Sequence, residues 1–152
     1  MLASKVRQMA EIVASDSPPT FFRVTQGLRT WAEQQALYEE GRTVPGRIVT
    51  DAQPGASYHN YGLAIDIVPM TALGPDWNKT HPVWQRLISV GTSLGLTAGA
   101  QFRSFPDWPH FQLTGALPES PDANVRAVYN SAGPQVTDKI AAVWKATGLE
   151  AA

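Results

Sequence analysis

The sequence contains no cysteine, which excludes disulfides, thiolate metal sites and cysteine nucleophiles together. Histidine is scarce: only His59, His81 and His110 are present. No excess of positive charge exists, since 12 Lys and Arg stand against 13 Asp and Glu. The basic residues are scattered rather than clustered, so the electrostatic footprint of a nucleic-acid binder is missing. No long apolar run occurs either. The opening stretch Met1–Ala14 is interrupted by Lys5, Arg7 and Glu11, and reads as neither a secretory signal nor a membrane span. Internal repeats and low-complexity tracts are also absent.

What is present suits one folded domain: 152 residues, 43% hydrophobic and 16% charged, enough apolar material for a core and too little charge for disorder. Leu2, Val6, Met9, Ile12 and Val13 recur at helical spacing, predicting an amphipathic helix over Ala3–Ala14 that Ser15–Pro19 breaks. Phe21–Thr25 is aromatic and β-branched, a strand pattern. Thr30 with Glu33 forms a capping-box signature for a helix over Thr30–Glu40, with Gly41 as its stop. Arg42–Ala56 reads as a loop. Leu63–Val68 alternates as a strand, Met70–His81 as a second loop, and Pro82–Leu94 as a helix opened by proline. Phe111–Leu113 reads as a short strand, Gly115–Asp122 as a linker, and Ala123–Leu149 as one or two helices. The fold class expected is α+β, with helices packed on a small, largely antiparallel sheet.

Two of the three histidines keep unusual company. His59 is followed by Gly62, a turn-former, and then by Asp66 inside an apolar strand. An ionised carboxylate between Ile65 and Ile67 is costly unless it is paired or metal-bound. Alone, Asp66 reads first as a salt-bridge partner or hydrogen-bonded turn anchor and His59 as a loop residue, and His110 could be a satisfied core histidine. Together they are three ligands of the type that zinc accepts, and a catalytic zinc site keeps three protein ligands plus water. His110 and Gln112 share one face of their strand. If that strand pairs beside Leu63–Val68, His110 reaches Asp66. Asp107, three residues before His110, is close enough to serve as a general base, although it also suits an ordinary turn before Trp108-Pro109. Arg29, between strand and helix, could polarise a scissile carbonyl or bind a carboxylate, or pair with Glu33 at the surface.

Three separated motifs carry a family resemblance. They are Gly27–Gln34, Ser57–His59 continuing to Ala64–Asp66, and Ser104–Phe111. In this order they resemble the M15 peptidases, the D-alanyl-D-alanine carboxypeptidase and L-alanyl-D-glutamate endopeptidase group that shares its fold with Hedgehog domains. Within that group the likeness is to the L-alanyl-D-glutamate endopeptidases of phage endolysins. The resemblance implies zinc held by His59, Asp66 and His110, with Asp107 as general base and Arg29 stabilising the oxyanion. It also implies a supporting role for Ser57 in substrate or ligand hydrogen bonding. His81 receives no role. A Trp-Gly-Gly-Asp-Trp-like run common before the last motif is replaced by Ala98–Phe102, which implies a reshaped substrate groove.

The expectation is therefore a zinc-dependent peptidase acting on the stem peptide of bacterial peptidoglycan, most naturally at the L-Ala–D-Glu bond. Residues 1–114 would form the catalytic core, and 115–152 a linker and helical extension packed on the same domain. Two alternatives stand beside it: a D-Ala-D-Ala carboxypeptidase or dipeptidase, and a non-catalytic zinc-stabilised module that binds wall or protein. A monomer is expected, without membrane insertion. It would be made in the host cytoplasm and released to the wall through a holin-type partner.

Overall fold

The computed structural model describes residues 1–115 and 117–149. The fold is α+β, as the pattern predicts: among the described residues, five α-helices and a small antiparallel sheet. Two compact units are formed, Met1–Gly27 with Ala64–Gly115, and Leu28–Leu63 with Ala116–Ala152.

The first unit contains the sheet. Helix α1 (Leu2–Ala14) buries Leu2, Met9 and Val13, the stripe that the helical spacing marks out. Strand β1 (Phe21–Gln26) pairs antiparallel with β2 (Ala64–Thr71), and β2 pairs in turn with β5 (His110–Gln112). Strand β4 (Thr97–Ala98) adds on the far side of β5, and β3 (Gly74–Pro75) closes a hairpin onto the end of β2. Helix α3 (Pro82–Ser93) buries Trp84, Leu87, Ile88, Val90 and Gly91. Its Gly91 is a close approach rather than a flexible point: a Cβ there would sit 2.6 Å from the Phe111 ring. Lys5 donates to the Leu94 carbonyl at 2.6 Å, tying α1 to the end of α3. Arg86 grips both carboxylate oxygens of Asp16.

Strand β2 runs further than the expected Leu63–Val68, so the segment Met70–His81 is not all loop. Its first residues continue the strand, where Met70 faces Phe21, and Gly74–Pro75 turns back to pair with Met70 and Thr71. Pro69 is the reason the sequence pattern stops early, because proline ordinarily demotes a strand. Here it sits opposite Phe22 in the register, and its carbonyl accepts from Asp76.

The second unit is built around aromatic side chains. Helix α2 (Trp31–Glu39) has the complete capping box, with Thr30 and Glu33 exchanging hydrogen bonds. Trp31 stacks on Tyr129 at 5.2 Å between ring centroids, and Tyr129 meets the edge of Tyr61 at 5.4 Å. Tyr129 belongs to α4 (Ala123–Ser131), which is N-capped by Asp122 and followed by α5 (Val136–Ala146). From α5, Trp144 donates its indole N–H to the Tyr61 carbonyl at 2.8 Å. Among the described residues no helix is long and apolar enough to cross a membrane.

Candidate metal centre

Each residue of the centre is set by its local backbone. Tyr58–Tyr61 forms one turn of 3-10 helix, fully buried, with the Ser57 hydroxyl accepting from the His59 N–H at 3.3 Å. Gly62 ends the turn at φ 65°, a left-handed conformation that glycine adopts without steric cost. The chain then enters β2, so His59 is delivered to the start of the strand carrying Asp66. Between Val24 and Gln26 the β1–β2 register shifts, which puts an irregularity directly opposite Asp66. Such bulges re-aim side chains beside functional sites.

Asp66 and His110 are register partners across β2 and β5, so their side chains leave the sheet on the same face. Nδ1 of His110 lies 3.3 Å from Oδ1 of Asp66. The other ring nitrogen, Nε2, is 2.8 Å from Oε1 of Gln112, two residues along the same strand. When Nε2–H donates to Gln112, Nδ1 is left as the nitrogen that can bind a cation, and the ring is held in that orientation.

One ligand atom from each of His59, Asp66 and His110 lies within 4.8 Å of the others. Two imidazoles and one carboxylate around such a point match the donor chemistry of a three-ligand zinc site. The electrostatics agree. Burial works to lower the pKa of His110, but the hydrogen bond and charge of Asp66, with Gln112 and Asp107, outweigh it and hold it above the ordinary histidine value. The Asp66 carboxylate stabilises positive charge at the His110 ring, so this position favours a cation.

The turn that leads into β5 is fixed by backbone contacts. Asp107 N–H donates to Gly99 O at 2.9 Å, His110 N–H to Asp107 O at 3.2 Å, and Ile67 N–H to Pro109 O at 2.9 Å. A Cβ on Gly99 would meet the Asp107 carbonyl at 2.5 Å and Cβ of His110 at 2.8 Å. Gly99→Ala should therefore shift this turn. We expect a loss of roughly 1–3 kcal/mol in stability together with zinc binding at least about tenfold weaker, read by thermal melts and chelator competition. Wild-type zinc affinity in this variant would mean that Gly99 does not set the position of His110. Phe102, in the segment that departs from the family pattern, packs on the His110 ring at 5.6 Å between centroids.

Of the remaining expected site residues, Asp107 is partly exposed and stands outside the three-ligand group, although its charge reaches His110. Arg29 is buried. Its N–H donates to the His59 carbonyl at 3.0 Å, and its own carbonyl accepts from the Asn60 amide at 2.9 Å. Asn60 also accepts from Gly55 N–H at 3.0 Å. His81 is an N-cap for α3, its ring accepting from Val83 N–H. The residues that sequence reasoning passes over are the buried amides Gln34, Asn60 and Gln112. Only Gln112 carried a signal, its alternation with His110.

Comparison with known proteins agrees with the site. A family model described as D-alanyl-D-alanine carboxypeptidase, of the M15 peptidases, matches residues 50–113. The peptidoglycan L-alanyl-D-glutamate endopeptidase CwlK of Bacillus subtilis (strain 168) is 38% identical over 98 residues, 59% of this chain and 59% of CwlK. The chain thus matches less than two thirds of that relative's length. The crystal structure of the L-Ala D-Glu endopeptidase ChiX of Serratia marcescens superposes with a TM-score of 0.53 at 25% identity. That likeness covers 74% of this chain and 77% of ChiX. The matched stretch includes His59, Asp66 and His110, so the likeness of this chain to the M15 peptidases takes in the whole converging group.

Proposed function

We propose that this protein is a zinc-dependent peptidoglycan hydrolase that cuts the stem peptide at the L-Ala–D-Glu bond. The observation that carries the reading is the convergence of two imidazoles and a carboxylate within 4.8 Å, in a chain similar to two endopeptidases of that specificity. His59, Asp66 and His110 would hold the metal. The chemistry that a bound zinc supplies is ionisation of water near neutral pH and polarisation of a carbonyl.

The protein's own residues do the rest. Asp107 accepts the proton of the attacking water and returns it to the leaving amine. Arg29 donates to the oxygen on which negative charge develops. Gln112 keeps His110 oriented, and Ser57 caps the turn that carries His59 while remaining a candidate for substrate contact. Residues 115–152 are proposed to be a linker and helical extension of the catalytic domain. The biological setting we favour is a monomeric endolysin made in a host cytoplasm, reaching the wall through a holin-type partner and causing lysis.

The test is mass spectrometry of fragments released from purified sacculi by zinc-loaded and chelator-treated protein. Fragments with a new amino terminus at D-glutamate, lost on chelation, are expected. A second reading has its own support, since the matching family model is described as a carboxypeptidase. Release of terminal D-alanine alone would select it. No metal-dependent product from several wall types would favour a binding module.

A further inference from the structure

Helix α2 buries one residue among those described, and it is polar: Gln34, 0% exposed. A side-chain amide is costly to bury unless both of its ends are satisfied. Here both are. Oε1 accepts from Nη1 of Arg29 at 2.9 Å, and Nε2 donates to the Ala52 carbonyl at 2.7 Å. The guanidinium is itself buried, and the Arg29 backbone is already fixed by His59 O and the Asn60 amide. What the backbone contacts leave undetermined is the long side chain, whose rotamers are many. Gln34 meets it at the tip.

We infer that Gln34 is the positioning residue for Arg29. It acts as a buried clamp that pins the guanidinium at one end and the loop at Ala52 at the other, so that the donor is in place before substrate arrives. The inference rests on the proposal that Arg29 acts on the substrate. A preorganised donor contributes to the transition state because no reorganisation is needed at the moment of reaction. A small displacement of such a group costs turnover rather than binding.

The experiment compares wild type, Arg29→Ala, Gln34→Met and the double variant on a synthetic stem peptide, with zinc content and thermal melts as controls. Arg29→Ala is expected to lose roughly 10²–10³-fold in kcat. Gln34→Met is expected to lose about 10–100-fold in kcat, with KM little changed and zinc content intact. The double variant should match Arg29→Ala within about threefold, because a clamp has nothing to hold once the arginine is gone. Gln34→Glu keeps an acceptor for Arg29 and gives up the donor to Ala52, so it should outperform Gln34→Met. That ordering stands even if the methionine variant is poorly folded. Near wild-type kcat in Arg29→Ala would remove the role of Arg29 itself. A damaged Arg29→Ala beside a wild-type-like Gln34→Met, additive losses in the double variant, or Gln34→Glu worse than Gln34→Met would overturn the clamp alone.

Discussion

Asp107→Ala should keep one zinc per chain while kcat falls by roughly 10²–10⁴-fold, the range for removing a general acid–base. The expectation separates two jobs that sit three residues apart. His110 belongs to the converging group that could hold a metal, with His59 and Asp66, and Asp107 does not. The turn between them is built from main-chain bonds: Asp107 N–H to Gly99 O, and His110 N–H to Asp107 O. Truncating the Asp107 side chain removes none of these, so His110 should stay where β5 places it. What disappears is a carboxylate near enough to act electrostatically on the His110 ring. The loss should therefore appear in the chemical step, with zinc content by metal analysis unchanged. Turnover within a few-fold of wild type would void the general-base role. Loss of zinc along with turnover would instead make Asp107 part of the metal's support.

The centre was readable from the sequence because its residues are rare or out of place. Only three histidines exist, and an aspartate between Ile65 and Ile67 asks for a partner. Alternation along Phe111–Leu113 put His110 and Gln112 on one face, and the register Asp66 with His110 is what that alternation requires if the strands pair. The helices were legible for the same reason: α1 and α3 carry plain apolar stripes, and α2 carries its capping box. Elsewhere the signals were local and weak. Pro69 hid the last turn of β2 and its hairpin, and two-residue strands such as β4 have no period to detect. The buried amides were hidden more deeply. Helix α2 has no apolar stripe, so nothing in its pattern says that Gln34 rather than Gln35 turns inward. Asn60 sits next to His59, yet its value lies in bonds to Arg29 O and Gly55 N–H, contacts that only the folded chain brings together. Sequence thus marks the atoms that would touch the metal, while the supports that aim them emerge from packing.

Asp66→Asn should abolish the response of the protein to zinc. The substitution is nearly isosteric, and the backbone at 66 keeps its partners Gln26 and His110 in the sheet, so the metal-free variant should melt within a few degrees of wild type. The change is one of charge and donor strength. Asparagine offers a neutral oxygen where the site offered an anion, and His110 loses the carboxylate now 3.3 Å from its Nδ1. The affinity loss should exceed the ~10–100-fold typical of removing an outer supporting partner. A folded protein with ligand at a thousand times Kd gains about 4 kcal/mol, which for a chain of this size raises Tm by roughly 10 °C. Wild type should show that rise with added zinc and lose it with chelator, whereas Asp66→Asn should show little of either. A full zinc-induced shift in the variant would mean that the cation binds without Asp66, and the three-ligand assignment would fall with it. A variant that melts far below wild type even without zinc would instead reveal that the Asp66–His110 pair holds the sheet together on its own. Melts with and without metal therefore distinguish a ligand from a structural ion pair on the same two side chains.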